Sequence, residues 1–456
     1  MRRAIAGRIL AGLLPLAALA GGAASAQPLD LKSAIGRALE AEAGYRAARA
    51  ELHAVREEVP KARAALLPSL SVSGTHTFNN ANRTLSNGVT DEPDYTARNY
   101  SITLRQPIYA RESTVRREQA DTRIAAAEEQ TRVERAKLVL DVSEQYLECL
   151  YASAVERYAR AEIESLEGLL ASVTRGFEAG VNTRTDILDA EARLDAARVR
   201  LVEAQQRVDA ARRALEKSIG LNVSEIRPIA AHRLSLSGNG MSVETWQDAA
   251  LATNPEIRAA KENVKLARQE IELQRAGHHP TVDLIVQRQF ARSDSISTLG
   301  SRVDTTLWGV QFNIPIYSGG YVTAATRQAS ARLGRARAEL EAAEADVSLR
   351  AARAVEFLQA SGQRVQALAR AEASAGASLT GTERGLKAGT RSFVDVLNAR
   401  QSLFEVVQSR ARANADFVLG FLRLQAVAGS IDDAAIEAAN ALLSNDATVV
   451  LSAPAR

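Results

Sequence analysis

The sequence predicts a mainly α-helical protein with a small β part, and three observations support that prediction. Only 11 prolines occur among the 456 residues, and residues 108–227 and 316–453 contain none. Aromatic residues make up 4% of the chain, which is too few to fill several compact cores. The chain also contains an internal tandem repeat of about 190 residues. Long alanine-rich helices in two copies therefore fit the chain better than ordinary compact domains.

The repeat is marked by its glycines. Residues 176–190 recur as residues 385–399, an offset of 209, with both glycines and the aspartate in place. The repeat, together with the composition of the segments around it, divides the chain into five parts. We expect a signal peptide at 1–26, a first repeat at 27–220, a linker at 221–242, a second repeat at 243–429 and a C-terminal tail at 430–456.

The first 26 residues have the composition of a cleaved secretory signal. Arg2, Arg3 and Arg8 surround the start of an apolar run, and Ala24-Ser25-Ala26 supplies the small residues that a signal peptidase needs. An uncleaved anchor is the alternative, because Ile9–Leu29 carries no charge, but its Gly-Gly and Gln-Pro pairs disfavour it. The segment holds three arginines and no acid, so the mature chain balances at 54 basic and 54 acidic residues. The basic pI near 9.0 therefore gives no support to nucleic-acid binding.

Each repeat has the same predicted order of elements: a helix of about 35 residues, two strands, a very long helix and a return helix. In the first repeat we expect strands at about 68–78 and 99–108, the long helix at 111–176 and the return helix at 183–220. In the second we expect strands at about 281–290 and 305–316, the long helix at 320–385 and the return helix at 392–429. A long helix of this length spans about 100 Å. Pro60 has no proline counterpart, so a kink is expected in the first repeat only.

The strands alternate apolar and polar side chains, as Trp308–Ile316 illustrates. Transmembrane strands have this period, but so has a soluble hairpin packed on helices. Long polar loops at Asn79–Arg98 and Ala291–Asp304, with prolines at the opposite strand ends, favour the membrane interpretation. Four strands cannot close a barrel, so the chain must oligomerise, with a dimer giving eight strands and a trimer twelve. The mature N-terminus, the linker and the C-terminal tail should then meet halfway along the long helices.

Several stretches resemble one family. The most specific is GLKAGTRSFVDVLNA at Gly385–Ala399, with its echo GFEAGVNTRTDILDA; Leu66-Leu67-Pro68 and Ile314–Gly320 support it. Over about residues 30–430 the chain resembles the TolC family of Gram-negative outer-membrane channels. The resemblance implies a homotrimer, each chain giving four transmembrane strands plus two long and four shorter antiparallel helices. The trimer forms a 12-stranded barrel in outer-membrane lipid, continuous with a periplasmic helical barrel.

The resemblance also implies a function. Members are passive exit ducts that dock through a periplasmic adaptor onto an ABC or proton-driven inner-membrane transporter and open at their helix tips. Residues Phe417–Ser430 look more like the type I protein-secretion branch than the drug-efflux branch, which stays the alternative. A periplasmic coiled-coil scaffold or adaptor is the rival from another class, but an adaptor would carry one helical hairpin and a β-rich remainder.

The helix tips hold the candidate gate. Asp395 and Asn398 are spaced i,i+3 and share a helix face, as do Asp186 and Asp189. The resemblance implies that the Asp395 position, with an acid at the Asn398 position, forms an acidic ring at the pore constriction. It also implies that the Arg391 position closes the tip through Thr185 and Asp186. The turns at Gly180, Val181, Gly389 and Thr390 are the expected adaptor-docking points.

Two departures from the family pattern weaken this gate. Asn398 replaces the second acid, a loss that Asp189 offsets in part, and Leu386 replaces a tyrosine that hydrogen-bonds across the tip. We therefore expect a looser gate and weaker block by polyvalent cations. The competing interpretation is that these aspartates only cap helix N-termini.

The sequence contains no recognisable catalytic constellation. Cys149 lies in a predicted helix without a nearby histidine, and a single cysteine excludes a disulfide framework. His278 and His279 end a helix, where polar side chains suit the terminal carbonyls. We expect no enzymatic activity, no cofactor and no metal site.

Overall fold

The fold is described from a computed structural model. It covers residues 28–80, 82–84, 86–91, 94–234, 242–295, 298–444 and 447–451. The predicted signal peptide at 1–26, residues 235–241 of the linker and the last five residues of the tail lie outside the described residues.

The two repeats share one order of main elements, and the first repeat has an additional short helix and a small two-stranded ladder. The first contains α1 (Leu31–Ala41), α2 (Ala43–Arg56), α3 (Glu58–Ala64), β1 (Ser69–Asn80), a small ladder of β2 (Arg83–Thr84) and β3 (Thr90–Asp91), β4 (Asp94–Ala110), α4 (Arg111–Glu178) and α5 (Arg184–Ile219). The linker contains β5 (Glu225–Ile226) and a 3₁₀ turn. The second repeat and tail contain α6 (Val243–Thr253), α7 (Pro255–Arg275), β6 (Thr281–Ser295), β7 (Thr298–Asn313), α8 (Tyr321–Lys387), α9 (Phe393–Val427), α10 (Asp433–Asn440) and β8 (Val449–Val450). The long helices α4 and α8 end within two residues of their predicted bounds.

The first helix of each repeat is not continuous, so the prediction of a single 35-residue helix was wrong. In both repeats the backbone is extended at one residue, Glu42 or Asn254, whose side chain caps the next helix. Pro255 explains the second break, because the residue before a proline is disfavoured in the α region. The first repeat has a further break after Arg56, where the ring of Pro60 would clash with the carbonyl four residues earlier.

Four strands form one antiparallel sheet in the order β1-β4-β6-β7. The ladders are longer than predicted: β4 begins at Asp94 and β6 continues to Ser295, so most of the expected loop Ala291–Asp304 is strand. Polar side chains do not prevent a ladder, because the hydrogen bonds are made by the backbone. Within the described sheet, β1 and β7 each pair on one side only, which leaves two open edges.

The sheet has one apolar and one polar face. Up to a bulge after Pro107, its register keeps even-numbered residues together across all four strands, as Leu70↔Leu104, Leu104↔Val286 and Val286↔Trp308 show. The apolar face comprises mainly Leu70, Val72, Tyr100, Ile102, Leu104, Val286, Phe290, Trp308, Val310 and Phe312, and the other face mainly Ser69, Ser71, Ser73, Thr75, Ser101, Thr103, Gln287, Gln289 and Thr305. The apolar face is uncovered in a single chain, with 78% of Trp308 and 74% of Val72 exposed. Neither the open edges nor this face is satisfied by the chain alone.

Each long helix packs antiparallel on its return helix, α4 on α5 and α8 on α9. A matched ion pair ties each couple: Glu162–Arg200 at 2.7 Å and Glu372–Arg410 at 2.6 Å. Both members shift by 210 residues between repeats, so the duplication extends to side-chain contacts. No described helix is long and apolar enough to span a membrane.

The segments outside the helical couples meet halfway along α4. β5 pairs with β8, and Leu29 forms a bridge with Ile226. Tyr146, fully buried near the middle of α4, places its hydroxyl 3.0 Å from the Leu29 carbonyl and 2.9 Å from the Arg227 carbonyl. The same hydroxyl accepts a hydrogen bond from the Arg227 amide at 3.0 Å. One side chain thus joins the N-terminal segment and the linker to the central helix.

The Tyr146→Phe substitution should destabilise this junction. It keeps the ring but removes a hydroxyl that satisfies buried backbone groups, at a cost of about 1–3 kcal/mol. We expect a lower midpoint of thermal unfolding by circular dichroism and faster proteolysis in the linker. Tyr158→Phe on the same helix is the matched control, because no hydrogen bond from the Tyr158 hydroxyl exists among the described residues. Equal midpoints for both variants would contradict the assignment.

Candidate functional site

The two helix tips have the same backbone turn. At the end of α4 the Val181 amide donates to the Gly176 carbonyl at 2.8 Å, and at the end of α8 the Thr390 amide donates to the Gly385 carbonyl at 2.9 Å. Gly180 and its counterpart have positive φ, 72° and 74°, which side chains rarely adopt. This is a Schellman ending, which satisfies the last carbonyls of each long helix. The repeated Gly-x-x-x-Gly spacing found in the sequence encodes it.

The first glycine of each turn makes room for a side chain. A Cβ on Gly385 would lie 2.7 Å from Cγ of Arg391, and one on Gly176 would lie 2.2 Å from Nδ2 of the Asn182 side chain. Asn182 donates to the Val173 carbonyl at 3.2 Å and so closes the first turn. Arg391 occupies the equivalent place in the second repeat, which leaves its guanidinium exposed at the tip. The duplication has therefore diverged at the residue that the resemblance assigns to gating.

Both tip aspartates complete a capping box at a helix N-terminus, three residues after the capping Thr183 or Ser392. The Asp186 carboxylate accepts from the Thr183 amide and hydroxyl, each at 2.8 Å, and the Asp395 carboxylate accepts from the Ser392 amide at 2.9 Å. The Ser392 amide, and after it the Ser392 hydroxyl, lower the pKa of the Asp395 carboxyl, and nearby Arg391 adds to the effect. The capping interpretation thus holds for both residues within one chain. Neither aspartate is buried, so both carboxylates also remain accessible at the tip.

Asn398 has a partner that the sequence analysis missed. Arg193 on α5 donates one guanidinium nitrogen to the Asn398 side-chain oxygen at 3.1 Å and another to Gln401 at 3.3 Å. This contact links the first-repeat couple to the second-repeat couple close to the tips. Comparison of the repeats could not reveal it, because the residue 209 positions after Arg193 is Ser402.

An apolar cluster beneath the turns holds the two tips together. Its buried members come from α4, α5 and α9: Leu166, Leu169, Val173, Ile187, Ala190, Leu194, Ala197, Phe393, Val396 and Leu397. Leu386 is half-buried against this cluster, so its contribution at the tip is apolar contact. Within one chain the tips are thus joined by apolar contact and by Arg193.

The remaining predicted residues are at the surface. Thr185, Asp189, Gly389 and Thr390 are exposed, and Val181 is 79% exposed. Among the described residues, Arg391 forms no hydrogen bond or ion pair with Thr185 or Asp186 of its own chain.

The structure shows the surroundings of the cysteine and of one of the two neighbouring histidines noted in the sequence. Burial raises the pKa of the Cys149 thiol to about 12, so the thiolate nucleophile is scarce near neutral pH. His279 lies 3.3 Å from the Tyr109 hydroxyl through Nδ1. In the described part of the chain no three His, Cys, Asp or Glu residues are grouped as metal ligands.

Comparison with known proteins identifies the family. The family model for outer membrane efflux proteins matches residues 34–221 and 246–430, one block for each repeat. The chain therefore belongs to this family, the TolC family of Gram-negative outer-membrane channels with a large periplasmic portion.

Two relatives and one solved structure illustrate the match. The chain is 30% identical to the alkaline protease secretion protein AprF of Pseudomonas aeruginosa, over 88% of this chain and 84% of that one. It is also 30% identical to the proteases secretion protein PrtF of Dickeya chrysanthemi, over 91% of each. The structure of the Campylobacter jejuni CmeC outer membrane channel superposes with a TM-score of 0.76 at 15% identity, covering 91% of this chain and 90% of that one. The last likeness concerns the fold alone.

Gly385→Ala should distort the second tip. The new methyl group would meet the Arg391 side chain, so Arg391 must move, whereas Gly381→Ala on the same helix meets nothing within 4 Å. We expect altered single-channel conductance for Gly385→Ala and wild-type conductance for Gly381→Ala. Conductance unchanged in both would mean that the Arg391 position does not matter.

The buried thiol provides a second check. We expect a maleimide to leave Cys149 unlabelled at neutral pH in the folded protein and to label it after denaturation. A Val181→Cys variant should react readily, because that tip position is largely exposed. Rapid labelling of the unmodified chain would show that the centre of α4 is not packed as described.

Proposed function

We propose that this protein is a passive outer-membrane exit duct formed by three copies of the chain. The observation that carries the proposal is the sheet with two unpaired edges and one uncovered apolar face. In lipid every backbone polar group must be paired, so edge must meet edge around a closed ring. Three chains would supply twelve strands, with the serine, threonine and glutamine face turned to a water-filled lumen.

The periplasmic part of the duct would continue from the strands. α4 has 68 residues and α8 has 67, which corresponds to about 100 Å each. Three copies of the four-helix arrangement would enclose a channel that narrows at the Schellman tips. A periplasmic scaffold without a membrane part would leave the apolar face of the sheet exposed to water, which disfavours that alternative.

The gate would be closed between copies. Arg391 is exposed and makes no contact with Thr185 or Asp186 of its own chain, so a neighbouring chain is the proposed source of that contact. Three Asp395 carboxylates would form the constriction ring, with Asp189 on an adjacent surface. Opening would then require the tips to separate against the apolar cluster and the Arg193–Asn398 contact.

The duct would need partners because it has no energy source of its own. We propose that the turns at Gly180, Val181, Gly389 and Thr390 dock a periplasmic adaptor, which connects to an ABC or proton-driven transporter. Protein secretion is the favoured role, supported by two relatives named for protease secretion. Efflux of small molecules is the second candidate, supported by the name of the family.

A deletion strain distinguishes the two roles. Loss of a secreted protein from the medium, restored by the gene, would support secretion; sensitivity to dyes or antibiotics without a secretion defect would support efflux. Neither phenotype, in a strain from which the protein is truly absent, would overturn the exit-duct proposal.

Asp395→Ala should reduce cation selectivity and block by trivalent cations in planar bilayers. The carboxylate carries the charge that attracts cations to the constriction. Because the folded-state pKa lies below its ordinary value, block should persist as pH falls through that value and be lost only below the lowered pKa. Asp248→Ala, an exposed site on α6, is the control for net charge. Identical block in both variants would place the constriction elsewhere.

Arg391→Ala and Arg193→Ala should each raise the fraction of time that the channel is open. The first removes the proposed contact between chains, and the second removes the contact between helical couples within a chain. The two effects should be separable, because only the second should also lower the thermal stability of an isolated chain. An unchanged open fraction in both variants would contradict the gating account.

A further inference from the structure

Three arginines stand side by side near the outer end of the apolar sheet face. Arg98 on β4 is directly opposite Arg292 on β6, and Arg292 is directly opposite Arg302 on β7. Neighbouring strands are about 4.8 Å apart, so the three Cα atoms span only about 10 Å. Like charges in adjacent positions repel one another, and a sheet does not favour such a row without a counter-charge. We call Arg98, Arg292 and Arg302 the arginine row.

The register places the arginine row on the apolar face rather than in the lumen. Each member is even-numbered, like Tyr100 and Phe290, which pair with each other one side-chain position nearer the helices. After Phe290, the next even-numbered residue toward the helices on β6 is Arg288. Its guanidinium lies 5.0 Å from the Phe290 ring centroid and donates to the Thr306 hydroxyl. Tyr100 and Phe290 thus lie between the arginine row and the rest of the apolar face, which on β6 also includes Arg288.

The height of the arginine row matches the outer membrane interface. Ten residues separate Val282, at the helical end of β6, from Arg292, which is about 33 Å along the strand. At the usual strand tilt of about 40° this is about 25 Å across the membrane, the height of the apolar band of such barrels. Because the helices lie in the periplasm, the arginine row is at the level of the outer-leaflet headgroups.

The charge of the arginine row is largely uncompensated. Arg302 is 77% exposed and lies 3.6 Å from Asp304, whereas Arg98 and Arg292 form no ion pair among the described side chains. With Arg288 included, four arginines share this face with two described carboxylates, Asp94 and Asp304. Asp94 accepts a hydrogen bond from Asn80 at 2.8 Å and forms no ion pair among the described residues. Guanidinium groups bind phosphate and carboxylate groups through paired hydrogen bonds. A phosphate group offers the larger negative charge and three acceptor oxygens, so it can contact several neighbouring arginines at once.

We propose that the arginine row binds the phosphate groups of a phosphorylated glycolipid in the outer leaflet, in the manner of lipid A. The acyl chains would lie along the apolar face below, over Tyr100 and Phe290, while the phosphates meet Arg98, Arg292 and Arg302. In a trimer the site occurs three times, once on each copy. The inference rests on the proposed membrane orientation of the sheet.

Binding is tested with the purified assembled protein and bisphosphorylated lipid A in detergent micelles, measured by native mass spectrometry. The R98Q/R292Q/R302Q variant should bind about a hundredfold more weakly than wild type, as expected for loss of three cationic contacts at a membrane surface. A control variant, R117Q/R213Q/R332Q, removes three exposed arginines from the helices and should bind like wild type. Should the first variant not assemble, R98Q/R292Q keeps the Arg302–Asp304 pair and should still bind more weakly than wild type.

Two further arms identify the ligand. Lipid A without its phosphates should bind wild type as weakly as the variant does, and millimolar inorganic phosphate should not displace the intact lipid. Equal binding by all proteins, or displacement by inorganic phosphate, would overturn the proposal.

The proposed orientation of the sheet in the membrane is checked separately. In a Trp246→Phe background Trp308 is the remaining tryptophan, and brominated phospholipids should quench its fluorescence. Absence of quenching would refute the proposed orientation itself, whereas quenching without lipid A binding would refute only the arginine-row site.

Discussion

The architecture depends on backbone hydrogen bonds that one chain cannot make. β1 and β7 each present an unpaired edge at opposite sides of a four-stranded sheet. In water such edges invite aggregation, and in lipid they are not tolerated, so closure with identical copies satisfies both conditions. The apolar face is likewise uncovered within one chain. Channel formation is thus a consequence of what the single chain leaves unsatisfied.

The long helices connect the sheet to the tips at the far end of the molecule. α4 and α8 continue directly or after a short turn from β4 and β7, and each is held to its return helix by an equivalent ion pair. The junction at Tyr146 fixes the middle, where the N-terminal segment and the linker meet. At the tips the capping contacts already satisfy the aspartates within one chain. Arg391 stays exposed at the tip, which is why its proposed partner belongs to a neighbouring chain.

Much of this fold could be predicted because its signals are local. Alternation marks the strands, glycine at positive φ marks the tips, and an aspartate three residues after a serine or threonine marks the helix starts. The break at Glu42 could not be predicted, since a glutamate cap lacks a strong sequence signal. The strand extensions were missed because polar residues in a hairpin beyond the apolar band look like a loop.

Contacts between distant residues were also beyond sequence reasoning. Arg193 and Asn398 are 205 positions apart, and nothing in either segment names the other as its partner. The arginine row is equally hidden, because its members come from three strands and become neighbours only through the register. The candidate gate residues lie at the helix tips, and their gating role stays a prediction. Their partners within one chain could be found only from the coordinates.

Hydrogen exchange at the sheet edges tests the central claim most directly. In the detergent-extracted assembly, with its mass measured in parallel, we expect three chains and slow exchange of the β1 and β7 amides that have no partner within one chain. Fast exchange of those amides in a protein that remains monomeric would contradict the account, because the edges would then be open.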